Sequence, residues 1–183
     1  LFAPHDVPAL IEFMGGNDAM AAFLDDIFDN GIYYVGDEFS MHAPYMYNLC
    51  GMPWKTQRRV YDIVNTYYLP QPSGLPGNDD CGQLSAWYLF SAMGFYPMCP
   101  GSTEYQLGIP CLPEIILHLP NGRDFRIVCE NFGSGNCYVQ SVTLNGKALE
   151  RPAIEHADIL RGGELRFSVA DTPSETCFTS KSR

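Results

Sequence analysis

The stretch Gly77-Asn78-Asp79-Asp80-Cys81-Gly82-Gln83-Leu84-Ser85-Ala86-Trp87-Tyr88-Leu89-Phe90-Ser91-Ala92-Met93-Gly94-Phe95-Tyr96-Pro97 joins an acidic turn to an apolar segment. A Pro/Gly-rich run, 70–76, stiffens the approach to the turn. Leu84, Trp87, Tyr88 and Ser91 share one face of a helix predicted from Cys81 to Met93, with Gly94 suited to the C′ position and Pro97 preventing continuation. Asp80 and Gln83 have the spacing of a capping box, Asp80 as N-cap and Gln83 reaching back from N3. Carboxylates on a stiff loop beside a packed helix are equally well placed for acid/base or metal chemistry, so the turn carries two readings.

Upstream the chain reads as short helices between breakers. Asp6 can cap a helix through Met14 that stops at Gly15-Gly16, and Asn17 can cap a second, whose Met20, Phe23, Leu24, Ile27 and Phe28 fall at helical spacing. A third is predicted from about Met41 to Leu49. Val60, Ile63, Val64, Tyr67 and Tyr68 mark a fourth that ends before Pro70. After Pro100 the period changes. Glu114 to Leu119, Phe125 to Glu130, Tyr138 to Leu144 and Glu164 to Val169 read as strands, and Asn121-Gly122 and Asn145-Gly146 as hairpin turns. The reading is an α+β chain with a boundary near residue 100: helices over 1–100, an antiparallel β-sandwich-like region over 101–183.

With 183 residues, 46% of them hydrophobic, the chain can bury a substantial core. A formal charge of −10 without a Lys/Arg run excludes nucleic acid and anionic membrane as partners, since both need cationic surface. No stretch reaches the roughly 18 apolar residues of a membrane span, and no basic region precedes an apolar run as in a signal peptide. Seven cysteines without a CxxC pair indicate neither a zinc site nor a complete disulfide set; most read as buried thiols.

The wording from Gly77 to Gly101 closely resembles the signature of family 92 glycoside hydrolases, calcium-dependent exo-acting α-mannosidases. Pro4-His5-Asp6, Gly36-Asp37-Glu38-Phe39-Ser40-Met41-His42-Ala43-Pro44-Tyr45-Met46-Tyr47-Asn48, Gly51-Met52-Pro53-Trp54-Lys55-Thr56-Gln57, Leu144-Asn145-Gly146-Lys147 and His156-Ala157-Asp158-Ile159 resemble the same family, in order. The resemblance implies an (α/α)6 barrel of twelve helices, of which about five are countable, followed by the β-rich region. It therefore implies the C-terminal portion of a longer enzyme, with the missing N-terminal part as partner. Mannose-containing glycans are the implied substrate and Ca2+ the implied cofactor. A secreted or periplasmic location is favoured by the resemblance, and a cytoplasmic one stays open. A non-catalytic carbohydrate-binding module or an inactive fragment is the competing reading.

Hydrolysis with inversion needs a proton donor and a water-activating carboxylate roughly 6.5 to 9.5 Å apart, on opposite sides of the sugar. Neighbours Asp79 and Asp80 can serve only one side. By resemblance Asp80 is the general base, assisted by Asp79 or Asn78, and Glu38 is either the acid or a calcium ligand. Phe39 stands where the family usually has Pro, and Met41 where it often has His; the bland reading of Asp37-Glu38 is a solvated helix start. His42 suits a sugar hydroxyl, Trp54 could stack on a sugar or pack, Lys55 could bond hydroxyls or snorkel, and Gln57 could approach the ion or substrate.

Overall fold

A computed structural model describes residues 1–178. Helices α1 (Val7–Phe13), α2 (Asn17–Asp29), α3 (Met46–Leu49), α4 (Pro53–Tyr67) and α5 (Gln83–Ala92) make up the first half, with two 3-10 turns, Glu38–Ser40 and Ala43–Tyr45. The predicted helix from Met41 to Leu49 is thus a 3-10 turn followed by α3. Pro44 has no N–H to contribute, and a short, tightly wound segment is the outcome. Asp6 caps α1 as its sequence indicates, accepting a hydrogen bond from the Ala9 amide at 3.1 Å. Asn17 does not cap α2; Gly16 holds the N-cap position with φ of 101° and no side-chain bond. Replacing Asp6 by Ala removes the α1 cap and is expected to cost about 1 kcal/mol, measured as a shift in the urea midpoint against Glu12→Ala.

The second half holds β1 (Phe95–Tyr96), β2 (Glu104–Leu107), β3 (Glu114–His118), β4 (Asp124–Glu130), β5 (Tyr138–Leu144), β6 (Lys147–Ala148), β7 (Ala153–Glu155), helix α6 (His156–Leu160) and β8 (Gly163–Ala170). They form a three-stranded sheet, β1-β2-β7, and a five-stranded sheet, β3-β4-β8-β5-β6. The expectation of an antiparallel arrangement is corrected in one place, because β4 and β8 run parallel with Phe125 opposite Gly163. Both predicted hairpins are present. Asn145 and Gly146 take φ of 51° and 78° between β5 and β6, the left-handed pair that a two-residue turn requires. In β5 the buried residues Val139 and Val142 lie three apart, which breaks the period of two. A bulge between Val139 and Ser141 absorbs the extra residue.

Two cores result. Met20, Leu24, Tyr45, Met46, Tyr47, Val60 and Trp87 anchor the helical one. Phe125, Ile127, Leu165 and Phe167 of the larger sheet meet Phe95, Leu107 and Ile154 of the smaller across the other. Each fully buried apolar side chain of this size contributes roughly 1.5 to 3 kcal/mol. Phe90 packs against both cores, and Phe95, which precedes residue 100, belongs to the second. Two buried amides close the seam. Asn48 Nδ2 donates to the Leu107 carbonyl at 2.8 Å, and Gln57 Oε1 accepts from the Val139 amide at 2.9 Å.

Candidate active site

Two glycines decide where the acids lie. A Cβ on Gly77 would stand 2.5 Å from the Gly36 carbonyl oxygen and 2.8 Å from its Cα; one on Gly36 would stand 2.7 Å from Tyr34 Oη and 2.8 Å from the Pro76 carbonyl. The loop that carries Glu38 and the turn that carries Asp79 and Asp80 therefore cross in direct backbone contact. The Tyr34 hydroxyl donates to the Pro76 carbonyl at 3.4 Å across the same crossing. Only glycine lets two main chains approach so closely.

Within the turn the two aspartates part company. Asp79 Oδ1 accepts from the Ser85 amide and Oδ2 from the Ser85 hydroxyl, both at 2.9 Å, which satisfies donors at the start of α5. Asp80 does not act as N-cap: Gly82 holds that position, and the capping box with Gln83 is absent. The reason is local. Asp80, Cys81 and Gly82 take φ of 42°, 59° and 90°, three left-handed residues in succession that turn the Asp80 side chain outward into solvent. Left-handed backbone at non-glycine residues costs roughly 1–2 kcal/mol each, a strain that functional sites retain.

Glu38 opens the 3-10 turn capped by Asp37, whose Oδ1 accepts from the Phe39 amide at 3.2 Å. It lines a hollow of about 400 Å³ with Phe2, Phe39, His42, Gln83 and Trp87. The hollow is of small-ligand size. Phe39 is 60% exposed and meets Phe2 edge to face at 5.5 Å. Trp87 fixes the floor, its indole donating to the Met41 carbonyl at 2.8 Å and its ring stacking on Tyr68. His42 is buried at 4% exposure with Nε2 3.0 Å from the Leu1 carbonyl. Burial holds its imidazole below the ordinary value, against the opposing pull of that carbonyl. Asp79 and Asp80 stand outside this lining, but Gln83, on the first turn of α5, is part of it.

The described lining of this hollow does not by itself complete a calcium shell. That ion takes six to eight oxygen ligands, whereas Glu38 is the one carboxylate lining the hollow, and no group of three His, Cys, Asp or Glu suited to a metal occurs among the described residues.

Three expected substrate contacts lie elsewhere. Trp54 and Lys55 line a separate hollow that shares no residue with the first. Gln57 is 2% exposed and committed to the β5 backbone, so its expected approach to ion or substrate gives way to a structural role. Asn78 is exposed on the turn beside Asp79. Tyr88, on the same predicted helix face as the buried Leu84 and Trp87, is exposed at 37%. Sequence reasoning missed Gly36, Gly77 and Ser85, although a glycine opening each acid-bearing loop was a visible signal. All seven cysteines are free thiols, four of them buried; burial pushes the Cys50 and Cys129 thiols up to about 11.

The glycosyl hydrolase family 92 catalytic domain matches residues 1–171, nearly the whole chain and both acid-bearing loops. The chain belongs to that family. Among similar proteins, a secreted glycosidase of Arthroderma benhamiae, itself uncharacterised, is 34% identical over 176 residues, covering 94% of this chain and 23% of the relative. The structure of a family 92 α-mannosidase from Bacteroides thetaiotaomicron superposes with a TM-score of 0.86 at 35% identity, covering 90% of this chain and 23% of that one. A family 92 inverting mannosidase from the same organism gives 0.89 at 34% identity, covering 97% and 27%. The chain thus spans about a quarter of the length of these relatives. No described helix is long and apolar enough to cross a membrane.

Proposed function

We propose that this chain is the C-terminal portion of an exo-α-mannosidase that removes terminal α-linked mannose from glycans with inversion. The observation that carries the reading is the Gly36–Gly77 crossing, which ties the carboxylate of the Glu38 hollow to an outward-turned, unbonded Asp80 within one family 92 domain. In this reading Asp80 takes a proton from water, the water attacks the anomeric carbon, and Glu38 protonates the departing oxygen. Asp79 holds the turn, Asn78 and His42 bond sugar hydroxyls, and the helical layer is a segment of an (α/α)6 barrel. The N-terminal part of the same enzyme completes the cleft. Of the secreted and periplasmic locations, the secreted one accords with the description of the Arthroderma benhamiae relative.

Calcium belongs to this reading only at the level of the whole enzyme, with Glu38 as the competing assignment of one ligand; no step above depends on it. The test is proton NMR of an aryl α-mannoside treated with the whole enzyme. β-Mannose is expected as first product, and EGTA is expected to suppress turnover reversibly. α-Mannose as first product would remove the single-displacement mechanism.

A further inference from the structure

The hollow around Trp54 has an unusual balance of groups. It encloses about 440 Å³ at the seam where α4 meets β5, with Trp54, Lys55, Arg58, Asp25, Asp62 and Tyr138 in its lining. Sites of roughly 300 to 1,000 Å³ at such seams are common places for small ligands. Its cations are all matched. Lys55 pairs with Asp25, Arg58 Nε with Asp62 at 2.8 Å, and Arg59 with Asp29 at 2.7 Å.

Asp25 is the hub. The Tyr47 hydroxyl donates to it at 2.8 Å, and Arg59 lies 3.5 Å away. Burial alone would push its carboxyl up, but the hydrogen bonds from Lys55 and Tyr47 and the charges of Lys55 and Arg59 outweigh this, leaving it below the ordinary value. The lining carries three cations, Lys55, Arg58 and Arg59, and two carboxylates, Asp25 and Asp62; every cation is already paired, Arg59 also with Asp29 outside the lining, and the chain's charge of −10 opposes an anion. What it offers is an aromatic surface bordered by donors and acceptors already locked in place, the combination that a sugar's apolar face and hydroxyl rim require.

We propose that this hollow is a second carbohydrate site, separate from the Glu38 hollow, that takes one pyranose ring of a neutral oligosaccharide with Trp54 as its platform. The choice of mannosides as the probe, the Asp80→Asn background and the role given to the site rest on the glycosidase reading; sugar binding at Trp54 does not. The site's role is to hold a glycan away from the bond being cleaved, which raises the local concentration of its other ends.

The chain suits a direct test because it has two tryptophans and Trp87 is 1% exposed, so acrylamide quenching reports mainly on Trp54. Measurements are made in the Asp80→Asn background, where the sugar is not consumed, with methyl α-mannoside and α-mannobiose titrated to about 50 mM because single-ring sites bind weakly. Saturation is expected to lower the quenching constant by about half, as the sugar covers the ring. By calorimetry Trp54→Ala should bind at least about tenfold more weakly and Trp54→Phe within a few-fold of the parent, both with unchanged melting curves. Quenching unaffected by sugar, or a Trp54→Ala variant of undiminished affinity, would overturn the proposal. Hydrolysis by the whole enzyme is scored separately, so failure of one reading leaves the other standing.

Discussion

Replacing Asp80 by Asn in the whole enzyme is expected to lower kcat by about 10³-fold, within the range for loss of a general base, while the melting temperature stays put. The expectation rests on the division of labour in the turn. The Asp80 carboxylate is exposed and forms no hydrogen bond or ion pair with another described residue, so the isosteric amide removes basicity and little else. Asp79 supplies the contrast. Its two bonds to Ser85 hold the start of α5, and Asp79→Ala should cost about 1 kcal/mol of stability. A chain in which position 80 moved Tm and position 79 alone moved kcat would reverse the two roles. Full turnover in Asp80→Asn would take the base assignment away altogether.

Gly77→Ala is expected to damage activity without touching an acid. The added methyl would sit 2.5 Å from the Gly36 oxygen and 3.1 Å from its carbonyl carbon, and because these are backbone atoms no side chain can swing aside. The loops must separate by several tenths of an ångström or more. Overpacking of this kind costs about 1–3 kcal/mol, and a misplacement approaching 1 Å can reduce kcat by about 10²-fold. Gly133→Ala is the matched control. Its nearest neighbours lie 3.9 Å away and its φ is not positive, so a methyl fits. Both variants are measured in the whole enzyme by urea titration and by steady-state kinetics on an aryl α-mannoside. If Gly77→Ala retained parental kcat and stability, the crossing would not govern the site.

The helices were legible because their apolar residues recur with a helical period and stop at breakers: Met20, Leu24 and Ile27 of α2 all fall inside the helical core. Strands β3, β4 and β8 were legible in the same way with a period of two, and β5, whose bulge interrupts that period, by its β-branched and aromatic residues. The pairs Phe95–Tyr96 and Lys147–Ala148 are too short for any period to show. Strand β2 exists because Tyr105 lies opposite Ile154, a pairing between distant segments that no local pattern announces. The parallel match of β4 with β8 was hidden by the same distance along the chain.

At the candidate site, residue types were readable and directions were not. Asp80 and Gln83 have capping-box spacing, but three left-handed residues shift the bond to Asp79 and Ser85, six positions apart. Trp54, Lys55 and Gln57 lie in one resemblance-bearing segment, yet packing of α4 on the larger sheet commits Gln57 to the seam and leaves Trp54 and Lys55 in a different hollow. Helix orientation is fixed by what it buries, and that partner lies about 80 residues downstream.

The amides of Asn48 and Gln57 have an evolutionary consequence. Each finds its mate on the opposite side of the seam, so a recombination event that exchanged one half for an unrelated segment would strand an Asn or Gln in a dry interior. Such a hybrid would inherit the penalty immediately, whatever the quality of its new sheet. The helices and the strands are therefore expected to be handed down through a lineage as a single heritable block.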